Sequence, residues 1–177
     1  WRIDVAGLVC LDVGSSTGGF TEVLLARGAA RVHAVDVGRG QLHWRLRNDP
    51  RVVPHEGVNA RFLGRDIIGE DVQFACCDLS FISATLVLPA LVPLLAPPRE
   101  FVVLVKPQFE AGRGQVGKGG IVRDPAVQQA AVERVGGCAR ALGFECEVID
   151  SPIPGAEGNK EFLLYGFDPH GRHHRQA

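Results

Sequence analysis

Strand-like and helix-like segments alternate along this 177-residue chain, and this alternation constrains the fold more than any other feature. Short runs rich in valine, leucine and isoleucine recur, and most are separated by stretches with helical spacing. Parallel strands cannot be joined by a tight turn, so they need crossover connections, which are almost always right-handed. The pattern therefore predicts an α/β protein with a mostly parallel sheet and helices on both faces.

Seven strands are predicted, at 8–13, 31–37, 51–57, 71–82, 100–106, 144–151 and 161–168. The last two have no helix between them, which predicts an antiparallel pair. The clearest helix, at 125–143, opens with Pro125 directly after Asp124, a common N-cap arrangement. We expect a Rossmann-like, seven-stranded sheet, mostly parallel with an antiparallel last strand.

The most apolar run, residues 82–98, is interrupted by Pro89 and Pro93. Proline breaks helical hydrogen bonding, and the run is shorter than the ~20 residues that a membrane-spanning helix needs. It predicts a buried helix or helix-like segment. No secretory signal is visible. The five cysteines show no Cys-x-x-Cys spacing, which favours reduced, buried thiols in a cytoplasmic protein over disulfides or a zinc site.

The formal net charge of -1 excludes a uniformly basic surface, so nucleic-acid binding requires a local patch or another module. The chain begins with Trp1 and contains no methionine, and we expect it to be part of a longer protein. We expect residues 1–167 to form one domain. Residues 168–177 are predicted to be a mobile tail, whose three histidines are not expected to bind metal.

The segment LDVGSSTGG at 11–19 lies where the first predicted strand turns into the first helix. In doubly wound sheets this turn is at the carboxyl edge, where ligands bind. The dinucleotide fingerprint requires three glycines, and Gly14, Ser16 and Gly19 occupy those positions here. Ser16 would crowd a pyrophosphate, and Asp12 would place a carboxylate near that dianion. Both features disfavour NAD and favour a cationic nucleoside without phosphate, such as S-adenosylmethionine.

Asp36 ends the second predicted strand, 22 residues after Gly14. A carboxylate at this position can accept hydrogen bonds from both ribose hydroxyls. Glycines alone are a weak signal because tight turns need them, but with two strand-end acids they favour a nucleoside site over a purely structural turn. The predicted cofactor contacts are Asp12, Gly14, Ser16, Thr17, Gly18, Gly19, Asp36 and Asp78.

Lys106 follows an apolar strand, where an ammonium group is costly to desolvate without compensating neighbours. Asp78 ends the fourth predicted strand, and Glu161 begins the last one. If the last strand inserts antiparallel beside the fifth, all three side chains meet at the carboxyl edge. They are our candidate catalytic group, although a structural ion pair explains the spacing equally well.

Two basic segments are candidate RNA contacts. The glycine-rich loop 112–124 carries Arg113, Lys118 and Arg123, which could grip phosphates, although the loop alone is more typical of a solvated surface. Trp44 lies among arginines and could stack on a base. We expect it instead to anchor its helix against the sheet.

Four stretches resemble a known family. They are residues 10–53, CCDLSFIS at 76–83, VKPQFEAGRGQVGKGGIVRD at 105–124 and GNKEF at 158–162. Together they are similar to the TlyA family, a branch of the FtsJ-like ribosomal RNA 2′-O-methyltransferases. The likeness covers nearly the whole chain, and the Lys-Pro-Gln-Phe-Glu block is specific.

The resemblance implies an S-adenosylmethionine-dependent enzyme that methylates a ribose 2′-hydroxyl of ribosomal RNA, free or in a ribosomal subunit, without a metal. In that family a Lys-Asp-Lys-Glu tetrad surrounds the hydroxyl, and Asp78, Lys106 and Glu161 match its last three members. The family's first lysine lies in an upstream Ser-Arg-Gly-Gly-x-Lys-Leu segment, and the family also has a small N-terminal S4-type RNA-binding domain. This chain contains neither, and we expect both to belong to the longer protein. The resemblance also implies that Asn59 contacts adenine.

In this hypothesis Lys106 is the base or orients the hydroxyl, Asp78 holds the lysine and the methyl end of the donor, and Glu161 orients the lysine or the ribose. One alternative is a cofactor- or RNA-binding module without catalysis. Another is a small NAD-linked oxidoreductase, which Ser16 and Asp12 disfavour. Similar proteins also carry the name haemolysin, but no segment predicts a pore.

Overall fold

The computed structural model describes residues 1–112 and 114–171. Within them, one sheet contains seven strands: β1 (Val9–Val13), β2 (Arg31–Asp36), β3 (Val52–Glu56), β4 (Val72–Cys77), β5 (Leu95–Val105), β6 (Glu145–Asp150) and β7 (Phe162–Phe167). Their spatial order is β3-β2-β1-β4-β5-β7-β6. Neighbours from β3 to β5 are parallel, and β7 runs antiparallel to both β5 and β6. The predicted fold class is confirmed.

The helices in this part of the chain are α1 (Gly19–Ala26), α2 (Trp44–Arg47), α3 (Arg65–Ile68), α4 (Leu88–Leu91), α5 (Pro107–Glu110) and α6 (Pro125–Ala141). Short 3₁₀ turns lie at Ala60–Phe62, Ala84–Leu86, Val92–Leu94, Lys118–Gly120 and Ala156–Gly158. The predicted start of α6 is confirmed, since the carboxylate of Asp124 accepts a hydrogen bond of 2.8 Å from the Ala126 N–H.

Hydrophobic clusters cover both faces of the sheet, because side chains alternate along each strand. Leu11 of β1 belongs to the same cluster as Val135 of α6. Its neighbour Cys10 belongs to the opposite cluster, with Leu24 of α1. The helices therefore shield both faces and leave the carboxyl edge of the parallel strands to form the site.

The prediction of a buried helix over 82–98 is wrong in its extent. The chain forms the Ala84–Leu86 turn, α4 and the Val92–Leu94 turn, and β5 begins at Leu95. Pro89 and Pro93 each occupy a position where a new helical turn starts, because proline fits the first turn of a helix but not its interior. The predicted burial is confirmed, since Leu88 and Leu91 are fully buried.

The prediction that Trp44 anchors its helix is also wrong. Its side chain is 64% exposed, and the Arg45 guanidinium lies 5.5 Å from the ring centroid. The anchor is Leu42, which is buried in the cluster that also contains Leu24. Leu42 precedes α2, and within the helix Leu46 packs against the same cluster.

Some expectations concern absences. Among the described residues, no helix is long and apolar enough to cross a membrane. No group of three or more histidine, cysteine or acidic side chains in the same part of the chain is arranged to hold a metal ion. All five cysteines are free thiols. The predicted mobile tail lies outside the described residues from position 172 onward.

One carboxylate is enclosed within the sheet. Asp12 of β1 is fully buried, and its Oδ2 accepts a hydrogen bond of 2.6 Å from the Thr21 hydroxyl of α1. The Cys76 thiol lies 3.8 Å from Oδ1. Burial raises the pKa of Asp12 to about 6, because the charged form is desolvated, and the Thr21 hydrogen bonds oppose this rise only in part.

Replacing Asp12 by asparagine tests this carboxyl. Its folded pKa of about 6 exceeds the ordinary 3.8, so its contribution to stability is complete below about pH 4 and is lost as pH rises through about 6. That gap corresponds to roughly 3 kcal/mol. Asparagine does not titrate, so the free energy of unfolding of Asp12→Asn, relative to that of the parent, should rise by about 2 kcal/mol between about pH 4.5 and pH 7.5. Urea unfolding at both pH values measures this difference. Exposed Asp66→Asn is the control, and a pH-independent difference for Asp12→Asn would contradict the shift.

Two substitutions near α2 test which side chain anchors it. Leu42→Ala should lower the free energy of unfolding by about 2 kcal/mol or more, because it leaves a cavity in the core. Trp44→Ala should lower it by less than about 1 kcal/mol, because most of the ring faces solvent. Thermal or urea unfolding measures both. A larger loss for Trp44→Ala than for Leu42→Ala would contradict this assignment.

Candidate active site

The glycine loop after β1 brings two strand ends into unusually close contact. Gly14 has φ +80°, and a Cβ there would lie 2.1 Å from the backbone oxygen of Asp78. Only glycine tolerates both this conformation and this approach. The N–H groups of Gly14 and Ser15 both donate to the Val35 carbonyl, at 2.9 and 3.0 Å. The carboxyl ends of β1, β2 and β4 therefore meet at this loop.

Asp36 fastens the same loop to β2. Its Oδ2 accepts a hydrogen bond of 2.7 Å from the Ser16 N–H, and its Oδ1 accepts one of 2.7 Å from the Gly38 N–H. Ser16 adopts a left-handed conformation with φ +48°, which the Asp36 contact stabilises. A carboxylate oxygen has more than one lone pair, so each oxygen can still accept from a ribose hydroxyl.

A cleft of about 380 Å³ opens beside Asp36 at the carboxyl edge. Its polar lining includes Gly14, Ser16, Asp36, Asn59 and Asp78, and its apolar walls include Val35, Val37, Val58 and Ile82. A small-molecule site commonly combines apolar walls with a few placed polar groups in a cleft of this size. The cleft therefore fits a nucleoside, with hydrogen-bonding groups for the sugar and apolar walls for the base.

Lys106 directly follows β5 at the carboxyl edge of the sheet, as predicted. Its Nζ is 2.5 Å from Asp78 Oδ1 and donates to Ser80 Oγ at 3.2 Å. The lysine side chain is only 13% exposed. The ion pair offsets the cost of burying the ammonium group, and the adjoining cleft gives the pair access to a ligand.

Glu161 completes the predicted group from the entrance to β7. It is buried, and Gln108 donates a long hydrogen bond of 3.4 Å to its Oε1. Burial raises the pKa of Glu161, while Lys106 and Gln108 act in the opposite direction. A Cβ at Gly155 would lie 2.1 Å from this carboxylate, so the glycine makes room for it.

A second cavity, of about 450 Å³, meets the first at Gly14, Ser16 and Asp78. Glu161 lines this second cavity, and so do Asp12, Thr17 and Gly19 from the predicted cofactor set. Gly18 lines neither cavity, and a Cβ there would collide with Leu46 of α2. We assign Gly18 to helix packing. Asp12 lines the second cavity although it is fully buried. Its role as a ligand stays a prediction.

Sequence reasoning missed an aromatic side chain at the rim of the cleft. The predicted strand 71–82 ends at Cys77, so Phe81 lies in the following loop, where it is 91% exposed. It has φ +65°, and its ring centroid is 5.0 Å from that of Phe109. In the sequence it lies within the predicted strand 71–82, and no pattern marked it as a rim residue. Its exposure follows from the end of β4 at Cys77, which only the tertiary structure decides.

The end of the glycine-rich loop, at Gly120 and Val122, is hydrogen-bonded to the segment that carries Glu161. Buried Asn159 accepts a hydrogen bond of 3.0 Å from the Val122 N–H and donates one of 3.0 Å to the Gly120 carbonyl. Lys118 and Arg123 are exposed, while Arg113 lies outside the described residues. The end of the loop is therefore held two residues from Glu161.

Comparison with known proteins gives concordant results. A family model described as FtsJ-like methyltransferase matches residues 1–167. The Mycobacterium tuberculosis protein named 16S/23S rRNA (cytidine-2′-O)-methyltransferase TlyA is 55% identical over 166 residues, which are 93% of this chain and 62% of that protein. The chain thus spans about three fifths of that relative.

Solved structures agree in fold. A Lactococcus lactis protein named as a hemolysin has 47% identity and a TM-score of 0.89, with 94% of this chain and 80% of that one covered. A Listeria monocytogenes structure, described as an S-adenosylmethionine-dependent methyltransferase, has a TM-score of 0.69 at 16% identity, with 94% and 93% covered. The second likeness shows the fold alone. The family match and the close relative establish that this chain belongs to the FtsJ-like methyltransferase family.

Proposed function

We propose that the chain is the catalytic domain of an S-adenosylmethionine-dependent methyltransferase acting on a ribose 2′-hydroxyl of ribosomal RNA. One observation carries the proposal: Asp78, which pairs with Lys106, lies where a nucleoside-sized cleft meets a second cavity, and Glu161 lines that second cavity. The 55%-identical relative is named for this reaction. A structural ion pair alone would not require an adjoining cleft.

The residues of the cleft fit the cofactor. The Asp36 carboxylate would accept from the ribose hydroxyls, and the apolar walls near Asn59 would hold the adenine. Asp78, which lies where both cavities meet, would hold the methionine end. When bound, S-adenosylmethionine supplies an electrophilic methyl group. The chain orients that group and excludes water.

The acceptor side is built around Lys106. A ribose hydroxyl is a weak nucleophile until its proton is removed or shared. In its neutral amine form Lys106 accepts that proton from the hydroxyl, and in either form it aligns the oxygen, while Asp78 keeps the lysine in place through the 2.5 Å contact. Glu161 restrains the other side of the hydroxyl from its buried position. Catalysis then rests mainly on in-line alignment.

Phe81 and the basic residues complete the acceptor surface. An exposed ring at the mouth of the cleft offers a stacking platform for a base that has left its helix. Lys118 and Arg123 contact phosphates. Because a net charge of -1 favours only weak RNA binding by this part of the chain, we propose that an S4-type module of the longer, cytoplasmic protein, which the family resemblance implies, supplies most of the RNA affinity.

Calorimetric titration tests the cofactor. S-adenosylmethionine and S-adenosylhomocysteine should bind, and NAD should not. Asp36→Asn should weaken both sulfur nucleosides by roughly tenfold, because it removes a ribose acceptor. Exposed Asp66→Asn, which lines neither cavity, is the control. Tight NAD binding, or unchanged affinity in Asp36→Asn, would contradict the assignment.

Methyl transfer to ribosomal RNA by the full-length chain tests the reaction. Lys106→Ala should lower kcat by roughly 10²- to 10⁴-fold, the range for loss of a general acid–base group. Its affinity for S-adenosylhomocysteine should persist, because Lys106 does not line the nucleoside cleft. Lys160→Ala is the matched lysine control. Cofactor binding without transfer by the parent would instead indicate a binding module.

A further inference from the structure

A buried carboxylate ties the loop after β4 to the loop after β5. Glu110, at the end of α5, is 4% exposed. Its Oε2 accepts a hydrogen bond of 2.5 Å from the Ser83 hydroxyl, and its Oε1 accepts one of 2.8 Å from the Ala84 N–H. Both oxygens therefore bind the loop that carries Phe81, and neither of the two cavities is lined by Glu110.

Phe81 needs such support. A bulky residue with φ +65° is in a conformation that L-amino acids rarely adopt, and it persists only where neighbouring contacts hold it. On its N-terminal side, Ser80 accepts a hydrogen bond from Lys106. On its C-terminal side, Ser83 is bound by Glu110. The strained residue is thus held between two contacts, and both come from the segment after β5.

Glu110 is itself fixed from the opposite side. Arg134 of α6 donates a hydrogen bond of 2.8 Å to the Glu110 backbone oxygen. Phe109, its neighbour in α5, packs its ring 5.0 Å from that of Phe81. The long helix α6 therefore holds α5 in place. The Glu110 side chain in turn holds the loop that carries Phe81.

Asp78 does not depend on this carboxylate. Its N–H donates a hydrogen bond of 2.9 Å to the Val13 carbonyl, and its side chain pairs with Lys106. Loss of Glu110 should therefore free the segment around Phe81 and leave the cofactor side of the site in place.

We infer that Glu110 is a positioning residue, which holds Phe81 in its strained conformation and so sets how the target nucleotide enters above Lys106. The consequence for the nucleotide rests on the proposed function, but the clamp does not. Buried acids often serve stability alone. A clamp differs because its removal loosens one loop rather than the whole core.

Hydrogen exchange by mass spectrometry on the full-length chain tests the clamp directly. Glu110→Ala should lose protection in the peptide spanning 79–85, which contains the Ala84 N–H, while β1 and β2 keep theirs. Glu110→Gln, which retains one acceptor oxygen, should restore part of the protection, and Ser83→Ala should reproduce part of the loss. Unchanged exchange at 79–85, or a loss spread evenly over the sheet, would overturn the inference.

Kinetics test the consequence. Glu110→Ala should reduce kcat/KM for ribosomal RNA by roughly 10- to 100-fold through misplacement of the acceptor, with S-adenosylhomocysteine affinity unchanged. In a Phe81→Ala background the same substitution should add little further loss, because its effect passes through Phe81. Full additivity, or weakened cofactor binding, would overturn this role. If the parent transfers no methyl group, the proposed function fails, and the exchange data still decide the clamp.

Discussion

The site depends on the close approach of β1 and β4 at the carboxyl edge. Where Gly14 meets the Asp78 carbonyl there is no room for a Cβ, so the strands can bring their ends together only through glycine. This contact places Asp78 at the meeting point of two cavities. The glycine loop, the Asp36 contact and the Lys106 ion pair are all arranged around it.

Charge at this edge is unevenly distributed. Four carboxylates, those of Asp12, Asp36, Asp78 and Glu161, line the two cavities at this edge, and the Lys106 ammonium pairs with Asp78. Burial raises the pKa of Asp12 and of Glu161, so keeping these carboxylates ionised in the folded chain lowers its stability. Such a cost is typical of functional sites, where groups are placed for a ligand rather than for the folded chain alone.

The segments after β4 and β5 work as one unit. They share the Lys106–Asp78 pair, the Phe81–Phe109 ring contact and the Glu110–Ser83 hydrogen bond. In the sequence these residues belong to two blocks, CCDLSFIS and KPQFE, that lie more than twenty residues apart. Because the two blocks contact each other, a change in one would misplace the other.

The sequence by itself determined the architecture and the main polar groups of the site. Alternating apolar runs specify a parallel sheet, and parallel strands must end at the same edge, so Asp36, Asp78 and Lys106 could be placed together from their positions at strand ends. The tertiary structure alone decided which apolar side chains are covered. Trp44 was expected to pack against the sheet and Phe81 to lie in a strand, but both are exposed, and no local pattern singled out Glu110, which is buried. Burial depends on which distant segments pack against a residue, and the local sequence pattern does not show those contacts.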